Sequence, residues 1–499
     1  MASAKPASGT APGPARRRLV VPVLAFCGVV VAVMQTLVVP LLPHVPELTG
    51  ASASAAGWLV TVTLLTGAVF TPLLGRVGDM YGKRRVLLAS LGVLTLGSAL
   101  CAISSDIGVL IAGRALQGTA LAVIPLGISI IRDELPAERV LPSIALMSST
   151  LGIGAAIGMP VAALVTEDFD WHTMFWASAA LGLTDLLLVL WIVPESPVRS
   201  RGRFDVPGTL GLTATLVGVL LAITQGSGWG WTSALTLGLL GASVGVGLIW
   251  GWYELRTPSP MVDLRVSARP AVLLTNVAAL LVGFSFYANS LVTAQLVQEP
   301  TSTGYGLGAS IVVSGLCLLP GGLAMVALSP LSARMSAAYG PRTALAVAAL
   351  VMAVGYGVRF FTSHSLWLIV SGATVVSCGT ALAYSALPAL VMRAVPVSET
   401  ASANGLNTLM RSVGQACCSA VVTAVLARLT FLTEGGSAPT LHAYLLIFLI
   451  AAGAALAALV AALFLPSDRP RQDTPCDADA RPGVTVAVSP PTSAAPGNA

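Results

Sequence analysis

Residues 75–85 read Gly75-Arg76-Val77-Gly78-Asp79-Met80-Tyr81-Gly82-Lys83-Arg84-Arg85, and the way this stretch joins its neighbours decides the fold. It packs one carboxylate and several cations between two apolar runs, 57–75 and 84–105. Each run approaches the roughly 20 residues that a bilayer-spanning helix requires. Outward from there, further runs lie at 19–43, 107–131, 141–166, 172–194, 206–226 and 233–254. They continue at 270–298, 306–333, 341–361, 364–392, 400–430 and 441–465, which makes fourteen predicted spans. Of the 499 residues, 55% are hydrophobic and only 9% charged, against roughly a quarter charged in a soluble protein. Such a chain cannot clothe a water-facing surface, and its hydrophobicity excludes wholesale disorder. The predicted class is an all-α polytopic membrane protein. Its aqueous segments are too short for an ATP-binding or catalytic domain.

The net charge of +5 points to no nucleic-acid partner, because most of the 26 Lys and Arg side chains occupy alternate connections. Lys5 and Arg16–Arg18 precede the first run; Lys83–Arg85, Arg132, Arg199, Arg265, Arg334, Arg393 and Arg469 follow at every second connection. By the positive-inside rule, both termini and these connections are expected to be cytoplasmic. Arg114 and Arg411 stand apart, inside predicted spans, while Arg359 and Arg428 are read at span ends. The tails 1–18 and 466–499 are rich in Pro, Ala, Ser and Gly and are expected to be disordered. Gly226–Trp231 is expected to form a tight outer turn with interfacial tryptophans. No cysteine spacing reads as a metal site or a redox pair.

An internal repeat organises the spans. Residues 70–85 read FTPLLGRVGDMYGKRR and 328–343 read LSPLSARMSAAYGPRT, so Pro72, Arg76, Tyr81, Gly82 and Arg84 return at an offset of 258. Gly118-Thr-Ala-Leu-Ala122 returns as Gly379-Thr-Ala-Leu-Ala383 at an offset of 261. Both pairs relate a span to the one eight further on, in the same orientation. That is a parallel repeat, the arrangement of carriers whose substrate site lies between two halves.

With the charged 75–85 stretch read as the loop between spans two and three, this plan resembles the major facilitator superfamily, most closely its fourteen-helix drug:proton antiporters. The resemblance covers about 19–465 and implies two six-helix bundles, 19–194 and 270–465, with two extra helices and flanking loops at 195–269. It also implies a multi-pass protein of the plasma membrane that needs no cofactor and functions as a monomer. In that family Gly75, Asp79, Gly82, Lys83 and Arg84 belong to a conformational latch between the halves. Physically, the glycines let helix ends approach, and Asp79 can sit against the positive N-terminal end of an odd-numbered helix and nearby arginines.

Arg114, in Ala112-Gly-Arg-Ala-Leu-Gln117-Gly118, matches the superfamily's fourth-helix arginine motif, which the resemblance links to proton coupling. A guanidinium there costs roughly 2.5–3.5 kcal/mol unless it faces a polar interior; snorkelling to an interface is the other reading. Gly154, Gly158 and Pro160 in span five look like the antiporter motif, although Met159 separates the usual Gly-Pro pair. In many relatives span one carries an aspartate; here Met34 occupies that position. Asp185 is the carboxylate read deepest in a span, with proton carrying and structural pairing both open.

Gln35, Thr36, Asn289, Gln295, Asn407 and Arg411 are the candidate cavity residues, polar positions on helices expected to face the interior. Phe286, Tyr287 and Tyr384 are placed to stack on a flat or cationic substrate. The expected function is proton-driven export of a small amphipathic drug or antibiotic. A carrier for an endogenous metabolite remains an alternative, as does, more remotely, a non-transporting receptor or assembly factor. No P-loop, metal cluster or nucleophile constellation supports an enzyme.

Overall fold

The computed structural model describes residues 14–38, 41–42, 45–200, 204–361, 365–433 and 436–466. Within them the apolar runs are helices: α1 Pro14–Thr36, α2 Ala53–Tyr81, α3 Lys83–Ile103, α4 Ile107–Glu134, α5 Ala137–Asp168, α6 His172–Ile192 and α7 Val206–Trp229. The series continues as α8 Ala234–Glu254 and α9 Pro270–Gln298. α10 is a bent pair, Ile311–Ala327 and Ser329–Ala338, meeting at 42°. After it come α11 Pro341–Phe361, α12 Leu366–Ala394, α13 Thr400–Arg428 and α14 Leu441–Phe464. Thirteen described helices are long and apolar enough to cross a membrane, or fourteen with the bent pair taken as one span. A helix satisfies its own backbone, which hydrocarbon requires of any spanning segment. Where chains enter helices, Ser52, Asp106, Ser233, Ser310 and Thr440 cap the free N–H groups.

Three readings need correction. Pro14–Arg18 belong to α1 rather than to the tail; residues 1–13 and 467–499 lie outside the described residues. Residues 226–229 stay helical, and the turn begins only at Gly230 (φ 86°), with the Trp231 ring folded back against Gly226. The 75–85 stretch is not a loop. α2 runs on to Tyr81, and Gly82 alone turns the chain into α3. Charge density does not unwind a helix, and only Gly82 adopts a positive φ, 121°.

That φ suits glycine alone, so Gly82→Ala is expected to cost about 1–3 kcal/mol. The Glu195 carboxylate lies where the new Cβ would stand, but a flexible carboxylate can move aside. The loss in melting temperature should therefore persist in a Glu195→Ala background.

The repeat is visible in the packing. α1 lies on α5 as α9 lies on α13, α3 on α6 as α11 on α14, and α2 on α4 as α10 on α12. Arg84 donates to Leu190 O at 2.5 Å and its counterpart Arg342 to Leu463 O at 2.6 Å, each tying a third helix to the end of a sixth. One apolar core is built almost wholly from residues 20–193 and another from 278–465. They meet along α2–α13 and α5–α10, two contacts related by the same repeat. α7 leans on the α2–α13 crossing through Leu212, Leu216 and Leu220, while α8 lies outside it. On α8, Leu248 and Ile249 are 72% and 70% exposed, the state of side chains meant for hydrocarbon.

Candidate functional site

Between the two cores lies a cavity of about 390 Å³, lined from α1, α2, α4, α5, α9, α10, α12 and α13. This is the size of a pocket for a drug-like molecule. Gln35, Thr36, Asn289, Gln295, Arg114 and Arg411 all line it. Asn407 does not: its amide donates to Asn276 Oδ1 at 3.0 Å, in the contact between α13 and α9. The apolar and aromatic wall includes Leu64, Leu318, Phe286, Tyr287 and Tyr384.

Arg114 is 2% exposed and makes several hydrogen bonds. It donates to Leu59 O on α2 at 3.1 Å, to Met34 O on α1 at 3.1 Å and to Gln117 Oε1 at 2.6 Å. It therefore faces the polar interior and not an interface. The Met34 position contributes a backbone carbonyl where a carboxylate would have supplied charge. Arg411 lies over the Tyr384 ring at 4.5 Å.

The sequence missed Arg359. It is 1% exposed near the end of α11 and donates to Asn289 Oδ1 at 2.5 Å and Thr293 Oγ1 at 2.8 Å. The repeat held a signal for it. At the offset of 258, Arg359 takes the place of Cys101, which stands beside Arg114. Each half thus buries an arginine at the same helix pair, from α4 in one and from α11 in the other.

Gly154 and Gly158 put α5 directly on α1. A Cβ on Gly154 would stand 2.8 Å from Val29 O, and one on Gly158 would stand 2.9 Å from Val33 O and 2.0 Å from Thr36 Oγ1. Gly315 of α10 packs on the Pro160 ring, so the same stretch also meets the other half. Gly158→Val must push backbone away from backbone, an overpacking cost of about 1–3 kcal/mol. It displaces Thr36 at the cavity wall. Transport is expected to fall at least tenfold, read against the amount of protein in the membrane.

At the end of the bundle where α2 meets α13, Asp79 is fully buried. Its carboxylate accepts from Ala401 N at 3.2 Å and Ser402 N at 2.8 Å, free donors in the first turn of α13. The nearby cation is a lysine and not an arginine: Lys83 Nζ lies 3.7 Å from Asp79 and 2.5 Å from Asp133. Arg132 adds a second crossing bond, to Thr400 Oγ1 at 2.8 Å. Gly75 permits the approach, since a Cβ there would be 2.6 Å from Ala401 O. Residues 195–200 complete the region: Glu195 accepts from Arg84 N, and Ser200 N donates to Asp79 O at 2.7 Å. At the offset of 258, Asp79 corresponds to Ala337, so the repeat supplies no second acid.

Asp185 is fully buried on α6 and does not line the cavity. It faces Cys27 of α1, and neither carboxylate oxygen meets an N–H or O–H donor among the described residues. A small void beside Arg114 is lined by Ser178, two turns before Asp185 on the same face of α6.

The comparisons agree with this architecture. The Major Facilitator Superfamily model matches residues 24–416 and 275–492. The chain is 28% identical over 390 residues to the multidrug resistance protein Stp of Mycobacterium tuberculosis (strain CDC 1551 / Oshkosh), covering 77% of this chain and 71% of that protein. It is 27% identical over 426 residues to a probable actinorhodin transporter of Streptomyces coelicolor, covering 81% and 72%. Among solved structures, the human organic anion transporter MFSD10 (TETRAN) superimposes with a TM-score of 0.66 at 18% identity. That match covers 90% of this chain and all of the other, and shows a shared fold.

Proposed function

This chain belongs to the major facilitator superfamily, and we propose that it is a proton-driven exporter of small amphipathic compounds, antibiotics or drugs among them. It is a multi-pass membrane transporter and not an enzyme. The observation that carries the reading is one cavity between two repeat-related cores, with a separate polar contact between the cores at one end. Bundles 19–194 and 270–465, with 195–269 inserted between them, rock about the cavity as a monomer. Asp79, Gly75, Gly82, Lys83 and Arg84 form the latch that holds the cytoplasmic end shut, with both termini on that side of the plasma membrane. The names of the multidrug and actinorhodin relatives favour export over uptake.

Asp185 carries the coupling proton in this scheme. Its carboxylate is buried on α6 facing Cys27 of α1, and Ser178, two turns earlier on the same face, lines a small void that Arg114 also lines. Protons entering down about 150 mV release roughly 3.5 kcal/mol each, enough for a gradient on the order of 300-fold. ATP is not needed. The test is accumulation of dyes and antibiotics in an efflux-deficient host, with and without a protonophore. Lower accumulation that the protonophore restores supports the proposal. Unchanged accumulation across a broad panel, with the protein verified in the membrane, overturns it.

A further inference from the structure

The cavity holds cations and no anions. Among the described residues that line it, Arg114 and Arg411 are the only ionic side chains; none is Asp, Glu, Lys or His. Neither arginine takes part in any of the ion pairs among the described residues. Arg114 is committed to carbonyls of α1 and α2 and to Gln117, which orient its guanidinium but leave its charge uncancelled. Arg411 is held far more loosely. It makes one long hydrogen bond, 3.4 Å to Thr408 Oγ1, and otherwise sits over the Tyr384 ring. A further donor, Gln35 Nε2, is buried at the cavity wall and meets no acceptor among the described residues. Buried charge without a counter-charge is costly, and its cost falls when a ligand supplies the missing anion.

Resting on the export reading above, we infer that the substrate is an organic anion. Its carboxylate, sulfonate or phenolate group is received by Arg411 in the positive field of Arg114, and its aromatic body lies against Phe286, Tyr287 and Tyr384. Arginine suits this task because its planar fork meets an oxyanion through two parallel hydrogen bonds. A cationic amphipath meets two like charges and nothing to pair with. The choice also affects energetics: an anion leaving the cell moves with an interior-negative potential, a gain of about 50-fold per charge for each 100 mV.

The test uses everted membrane vesicles carrying the wild-type chain, energised to an interior-acid state with the electrical potential collapsed by valinomycin and potassium, so that the potential does not itself sort the probes by charge. Naphthalene, pyrene and anthraquinone scaffolds are each supplied as the sulfonate, the neutral dimethylsulfonamide and the trimethylammonium derivative. The sulfonates are expected to accumulate at least about tenfold over the trimethylammonium probes, the size of one charge-assisted hydrogen bond. Arg411→Gln is expected to bring the sulfonate-to-sulfonamide ratio near one, and Arg411→Lys to recover part of it. A sulfonate preference that survives Arg411→Gln overturns the assignment of that residue. Accumulation of trimethylammonium probes in preference to sulfonates overturns the anion inference and leaves export standing. No accumulation of any probe, with the chain verified in the vesicles, overturns both.

Discussion

Replacing Asp79 by Asn is expected to cut transport by about one to two orders of magnitude while leaving the protein folded and inserted. The carboxylate accepts two backbone N–H groups at the start of α13, where the helix dipole also favours a negative charge. Asn has one acceptor oxygen; its amide nitrogen would face a donor, and the charge is gone. Hydrogen bonds to a charged group contribute about 1.5–3 kcal/mol. A loss of that size moves a two-state equilibrium by about 10- to 150-fold, away from the state in which α2 and α13 touch. Fold is spared because each bundle keeps its own apolar core. A second readout separates a lost latch from a lost site. A cysteine at Leu406, on the same α2–α13 contact, in a Cys476→Ser background, should react faster with a charged maleimide in the Asp79→Asn chain. Equal labelling rates would show that Asp79 does not hold this contact.

Arg114→Met is expected to abolish transport, by about 100-fold or more, and to leave the melting temperature unchanged or raised. The two effects separate because Arg114 is a buried charge with no carboxylate partner among the described residues. Exchanging buried charge for an apolar side chain of similar length is often neutral or stabilising by about 1–4 kcal/mol. The Leu59 carbonyl lies inside α2 and keeps its backbone partner, whereas the Met34 carbonyl, in the last turn of α1, gives up the bond from Arg114, a cost of about 1–3 kcal/mol set against the relief of the buried charge. What disappears is the positive field at the cavity wall and the tie among α1, α2 and α4. Both measurements belong on one purified preparation. A drop in melting temperature that matches the loss of transport would make Arg114 a structural residue instead.

The spans were legible because runs of 20 or more apolar residues leave little choice of structure. Even α8, the least buried helix, begins and ends within a residue of its apolar run. The 75–85 stretch was misread locally: charge marked it as a loop, whereas backbone angles end α2 only at Gly82. Asn407 and Arg411, four residues apart on α13, were both expected at the cavity, yet only Arg411 reaches it. Where another helix crosses α13 is a matter of packing, which spacing does not encode. Asp185 was legible as buried, but not that α1 lies between it and the cavity. Lys83 beside Asp79 lies only four residues away in sequence and was open to local reading, whereas the 195–200 segment folded under Asp79 depends on contacts more than a hundred residues apart.

The most direct test of proton-coupled export is made with purified protein in proteoliposomes that hold a trapped pH-sensitive dye and a transported probe. On dilution into probe-free buffer, the account predicts that probe efflux acidifies the lumen. That proton entry should be absent from Asp185→Asn and slowed in Asp79→Asn. Probe efflux with no change of luminal pH, or with the lumen turning alkaline, would contradict it.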